Sequence, residues 1–120
     1  MKAAVVHAPG GPEALQLQEY PIPVTQDGQV LIQVRASGLN RSELFTRQGH
    51  SPSVQFPRIL GIEAVGTVVS CPGGEFTKGE IVATAMGGLG RAFDGGYAQY
   101  TCVPARNMQV ISPDAADGLD

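Results

Sequence analysis

Apolar and polar residues alternate with a period of two along most of the chain, and Gly and Pro clusters cut the alternation into short runs. Met1–His7 reads as a first strand, stopped by Pro9-Gly10-Gly11-Pro12. Leu15, Leu17 and Glu19 alternate with Gln16 and Gln18 in a second strand, closed by Pro21 and Pro23. After an Asp27-Gly28 turn comes the clearest strand, Gln29–Ala36, with Val30, Ile32, Val34 and Ala36 on one face. Further strands are predicted over Glu63–Ser70, Glu80–Ala85, Gly96–Val103 and Met108–Ile111, separated by Pro72-Gly73-Gly74, Lys78-Gly79 and Asp94-Gly95-Gly96. One short helix fits between them. Asn40 or Ser42 can cap it, Leu44 and Phe45 give it an apolar side, Gly49 ends it, and Asn40 with Glu43 three residues on forms a capping-box variant. Short strands at turn-punctuated intervals predict an all-β barrel or sandwich with a helical insert.

Composition narrows the function. A chain of 120 residues buries roughly two-thirds of its unfolded surface, enough for one domain with a core. The net charge is -3 and no basic cluster occurs, which argues against a nucleic-acid or anionic-membrane partner. Apolar runs reach about five residues, far short of the roughly 20 of a membrane span. No charged segment followed by an apolar stretch opens the chain, so no secretory leader is expected and a cytoplasmic location is. Two cysteines, Cys71 and Cys102, cannot build a disulfide scaffold and are expected as buried or partly buried thiols. Residues 1–112 are expected to form the domain, and 113–120 the start of a connection to a further one.

The most informative stretches are Ser37-Gly38-Leu39-Asn40-Arg41-Ser42-Glu43, the run Pro57-Arg58-Ile59-Leu60-Gly61-Ile62-Glu63-Ala64-Val65-Gly66-Thr67-Val68, and Gly95-Gly96-Tyr97-Ala98-Gln99-Tyr100. Together with the opening Met1-Lys2-Ala3-Ala4-Val5-Val6 they resemble the amino-terminal domain of the medium-chain dehydrogenase/reductase superfamily. The resemblance spans essentially the whole chain. It implies a mainly β fold, the partly open GroES-like barrel with one or two short helices, carrying much of a substrate pocket. In that superfamily a nucleotide-binding Rossmann domain follows, and the active site is the cleft between the two.

Within the superfamily, zinc alcohol dehydrogenases place a Cys ligand where Asn40 stands and a His where Ile62 stands. Ile62 has no lone pair and Asn is a poor zinc ligand, while a catalytic zinc needs three protein ligands aimed at one point. The four close cysteines of a structural zinc are also missing. The pattern resembles the zinc-independent, quinone oxidoreductase-like branch, which implies NADPH as cofactor and a small quinone or α,β-unsaturated carbonyl as substrate, with a homodimer as the full-length form. Such acceptors are already electron-poor and need positioning, a hydride donor and a proton source rather than a Lewis acid. The resemblance assigns Asn40 to cofactor binding, by a hydrogen bond to the nicotinamide ribose or the substrate oxygen, beside its service as helix cap. Phe45 and His50 are pocket candidates, Phe45 standing where many relatives have Tyr, His50 because imidazole titrates near neutrality. Ser51 stands about where enoyl-thioester reductases carry a proton-donating Tyr. Glu63 is expected to support the pocket from beneath, by pairing with an Arg or capping backbone amides. Ile62 is expected to pack in the barrel wall near Leu60. No catalytic residue is assigned.

Gly88-Leu89-Gly90-Arg91-Ala92-Phe93 begins like a dinucleotide fingerprint, but its last position is Phe and no helix follows, so it reads as a connecting loop. With the phosphate cradle absent, the chain alone is expected to be inactive. The rival reading is a stand-alone binding or assembly module on the same barrel, because a fold does not determine a function.

Overall fold

The computed structural model describes residues 1–51 and 54–111. The connection expected over 113–120 lies outside them. Among the described residues eight strands and one α-helix follow in order: β1 (Lys2–Val6), β2 (Leu15–Glu19), β3 (Gln29–Ser37), α1 (Arg41–Arg47), β4 (Arg58–Ile59), β5 (Glu63–Ser70), β6 (Ile81–Ala85), β7 (Tyr100–Pro104) and β8 (Met108–Val110). Single 3₁₀ turns precede β2 and β8. The strands form a three-stranded sheet, β2-β1-β4, and a five-stranded sheet, β7-β3-β5-β6-β8, with antiparallel pairing throughout. The result is the mainly β, partly open barrel that the resemblance implied.

The inner face of the larger sheet carries the main core: Val30, Ile32, Ala64, Val68, Val82, Leu89, Val103 and Met108 are all buried. A smaller cluster of Ala3, Val5 and Ile59 sits under the other sheet. The segment 97–99 joins the two: Ala4 N–H donates to the Tyr97 carbonyl at 2.8 Å, Gln99 N–H to the Lys2 carbonyl at 3.0 Å, and Val34 N–H to the Gln99 carbonyl at 2.8 Å. Here the structure corrects the strand expected from Gly96. Gly96 and Tyr97 instead turn back to bond the Gly61 and Leu60 carbonyls, and β7 begins at Tyr100.

Two register shifts interrupt the pairing of β3 with β5. Such bulges bend a strand and re-aim its end, and β3 here runs out to set Ser37 opposite Ala64. β4 was not expected. Its two residues pair with Val5 and Val6 and are held by Asp94, whose Oδ1 accepts from Ile59 N–H at 3.0 Å and from Arg58 at 3.3 Å. β2 forms where alternation predicted it, yet Leu17 is 75% exposed, because an edge strand can pair without anything covering its apolar face.

Candidate functional site

The three informative stretches of the sequence meet in space. α1 begins at Asn40, which adopts the extended backbone of an N-cap. Glu43 folds back, and its Oε2 accepts from Asn40 N–H at 2.9 Å, the glutamate half of a capping box. Its other oxygen does something the sequence did not signal: Oε1 accepts from the backbone N–H of Ile62 at 3.0 Å. Glu43 is only 6% exposed. It therefore bolts the start of α1 to the turn that leads into β5.

Glu63 completes the junction. Its Oε1 accepts from the Asn40 side-chain amide at 3.2 Å. A carboxylate only accepts, so the amide nitrogen of Asn40 must be the atom that faces it. This differs from both expected roles, since no Arg pairs with Glu63 among the described residues. Gly38 makes room for the arrangement: a Cβ there would overlap the Glu63 carboxylate. Gly61 has φ +107°, and a Cβ on it would come within 2.8 Å of the Gly96 nitrogen.

The third stretch enters through Tyr97, whose hydroxyl donates to the Gly38 carbonyl at 3.2 Å. Burial, together with the nearby carboxylates of Glu43 and Glu63, pushes its pKa up to about 12. The phenol thus keeps its proton throughout the neutral range. The GGYAQY motif was a signal for this residue, but nothing in it pointed to the role.

Phe45 and His50 lie apart from this junction. Both are exposed, and their rings meet edge to face with centroids 6.3 Å apart. Ser51 is buried and bonded to Thr46 Oγ1 at 3.0 Å and to Arg91 at 3.4 Å, so its hydroxyl serves the loop. Ile62 is half-buried rather than packed into the wall, whereas Leu60 is fully buried. Cys102 is half-buried, and burial raises its thiol pKa. Residues 88–93 form turns and a bridge between Leu89 and Phe93, with no helix.

The residues do not fit a catalytic zinc. Ile62 offers no donor, the Asn40 amide is engaged with Glu63, and no group of three or more His, Cys, Asp or Glu able to hold a metal occurs among the described residues. What the junction does border is a cleft of about 680 Å³ on the outer face of the larger sheet, lined among others by Gly38, Glu63, Val65, Ala83, Ala85 and Arg106. Register explains the lining. Glu63 pairs with Ala85 and Val65 with Ala83, so all four point to the side opposite the core. No helix of the described residues is long and apolar enough to cross a membrane.

Comparison with known proteins agrees with the geometry. Residues 26–113 match the alcohol dehydrogenase GroES-like domain. A quinone oxidoreductase of Sus scrofa is 36% identical over 125 residues, covering 98% of this chain and 35% of its own. A zinc-type alcohol dehydrogenase-like protein of Schizosaccharomyces pombe is 31% identical over 93 residues, 77% of this chain and 28% of its own. Among solved structures, a mycobacterial protein complexed with NADPH superposes with a TM-score of 0.82 at 28% identity, over 95% of this chain and 34% of that one. The chain thus spans about a third of the length of these relatives.

Proposed function

Since the chain belongs to the alcohol dehydrogenase GroES-like domain family of the medium-chain dehydrogenase/reductase superfamily, we propose that it is the substrate-side domain of a zinc-independent oxidoreductase that reduces quinones or α,β-unsaturated carbonyls with NADPH. The observation that carries this reading is the junction itself. At the two positions where the resemblance puts zinc ligands, Asn40 and Ile62 carry neither thiolate nor imidazole, and the Asn40 amide is given to Glu63. The likeness to the Sus scrofa quinone oxidoreductase supports the substrate class, and that to the mycobacterial NADPH complex supports the cofactor.

The nicotinamide, when bound, supplies the hydride. The residues of this chain orient and shield. Asn40 keeps a second amide proton beyond the one given to Glu63, and this is the donor for a nicotinamide-ribose or substrate oxygen. Glu63 fixes that amide and so limits the orientations that must be frozen on binding. A neutral Tyr97 holds the Gly38 carbonyl beside it. Residues 1–112 form the domain in this reading, 113–120 lead toward a dinucleotide-binding domain, and the assembled protein is cytoplasmic and dimeric.

The test is NADPH oxidation with a quinone and with an enone, assayed on this chain alone and on the chain joined to a dinucleotide-binding domain. Turnover only in the joined protein, without stoichiometric zinc by elemental analysis, is the expected result. A stable zinc retained through chelator dialysis, or no hydride transfer to either acceptor, would overturn it.

A further inference from the structure

The 680 Å³ cleft holds opposite charges at its two sides. Glu63 lies on one, where only one oxygen is hydrogen-bonded among the described residues, and Arg106 lies on the other. They do not pair with each other, and neither belongs to any of the ion pairs among the described residues. Glu63 pairs with Ala85 on β6, and β6 pairs in turn with β8, whose first residue, Met108, follows the 3₁₀ turn that carries Arg106. The two sides are therefore about two strand spacings apart, roughly 10 Å. Between them lie Ala83 and Ala85 of β6, with Val65 beside Glu63 on β5, so the floor there is small and apolar.

We propose that this cleft is a substrate site for a flat, amphiphilic anion, a molecule that donates a hydrogen bond to Glu63, lies on the alanine floor and presents its anionic group to Arg106. The inference rests on the oxidoreductase reading above and narrows its substrate class to conjugated carbonyl compounds with an acidic group. Alanine side chains leave a shallow platform suited to a planar ring, and a half-used carboxylate recruits a hydroxyl. Arg106 supplies the counter-charge for a carboxylate. In this arrangement Asn40, beside its own donor role, ties down one oxygen of Glu63, and Gly38 is a positioning residue that leaves space for the carboxylate.

The experiment is an NMR titration of the isotope-labelled chain with 4-hydroxycinnamate, compared with 4-methoxycinnamate, which lacks the donor, and 4-hydroxycinnamyl alcohol, which lacks the anion. Amide shifts at Val65, Ala83, Ala85 and Gln109 are expected with the first probe, and affinity at least tenfold weaker with either of the others. Glu63→Gln and Arg106→Gln should each reduce affinity for 4-hydroxycinnamate about tenfold. Gly38→Ala should do the same with Glu63 intact, because the new methyl group displaces its carboxylate. Equal binding of the three probes, shifts confined to another surface, no binding, or loss of the site once a dinucleotide-binding domain is attached would overturn the proposal. Binding as expected but no hydride transfer from NADPH to the quinone or the enone in the joined protein would leave the site standing and remove the oxidoreductase reading instead.

Discussion

Replacing Glu43 separates two accounts of this residue. As a helix cap alone, Glu43 should be exchangeable with Gln, because a capping box accepts either at its third position. As the bolt between α1 and the start of β5, it should not be. Its two carboxylate oxygens take the N–H groups of Asn40 and Ile62 at 2.9 and 3.0 Å. Glu43→Ala leaves both donors unmatched in a partly buried site, and a buried orphan donor costs about 1–3 kcal/mol. Some solvent reaches both, so the pair should cost about 2–4 kcal/mol. Glu43→Gln keeps one acceptor but turns an NH₂ toward the other donor, for a loss of about 1–2 kcal/mol. Equilibrium urea unfolding followed by circular dichroism reads this directly, since the chain has no Trp to report by fluorescence. With a slope of about 2 kcal/mol/M, the alanine midpoint should fall by about 1–2 M and the glutamine midpoint by about half that, at unchanged slope. A Gln variant within about 0.3 kcal/mol of wild type would refute the bolt and return Glu43 to an ordinary cap.

Gly61→Ala should destabilise by about 2–4 kcal/mol, measured in the same way, because φ +107° strains any side chain and the new methyl would press on the Gly96 nitrogen. Tyr97→Phe should abolish a tyrosinate absorbance step near pH 12. The folded pKa lies above the unfolded value, so wild-type stability from this group is complete below about pH 10 and declines as pH rises toward 12; a Tyr97→Phe chain should lose that part of its alkaline sensitivity. Ile62→Asn should cost only about 1 kcal/mol, since Ile62 is half-buried and an amide there can reach water; a loss of 3 kcal/mol or more would show a packed site. Asn40→Ala, in the chain joined to a dinucleotide-binding domain and assayed well below its melting temperature, should lower kcat/KM about tenfold to a hundredfold, or roughly 1.4–2.8 kcal/mol; an unchanged kcat/KM would leave Asn40 a helix cap.

Period-two alternation located seven of the eight strands, because a half-buried strand writes its pleat into the residue order. It could not reveal β4, whose two residues are too few to alternate and which depends on Asp94, far along the chain, for its bonds. Nor could it show that Gly96 and Tyr97 are turn rather than strand, since both states suit a Gly-Gly-aromatic run. The residues of the junction were readable as types: Asn40, Glu43 and Glu63 all stood out. Their long-range partners were not, because those bonds join segments brought together at the bulged end of β3. Glu43 shows the limit well. Its local bond to Asn40 follows from a spacing of three, while its bond to Ile62, nineteen residues away, has no sequence signature. Arg106 carried no pattern at all, and it reaches the cleft from the 3₁₀ turn that leads into β8.

The closure of the two sheets through residues 97–99 also governs how the protein is born. Lys2 and Ala4 make their bonds to Gln99 and Tyr97 across nearly the whole sequence. On the ribosome β1 can pair with β2 almost at once, but its link to the larger sheet must wait for about 80 further residues, from Glu19 to Tyr97. At about 5–20 residues per second that is roughly 4–16 s during which the β1–β2 pair is unsealed. The junction is completed in the same way: the bonds of Glu43 and Asn40 to Ile62 and Glu63 can form first, and the Tyr97 hydroxyl joins them last. Chaperones that shield apolar strands on nascent chains would therefore meet this domain while its first sheet is still open, with the candidate site among the last of its parts to be assembled.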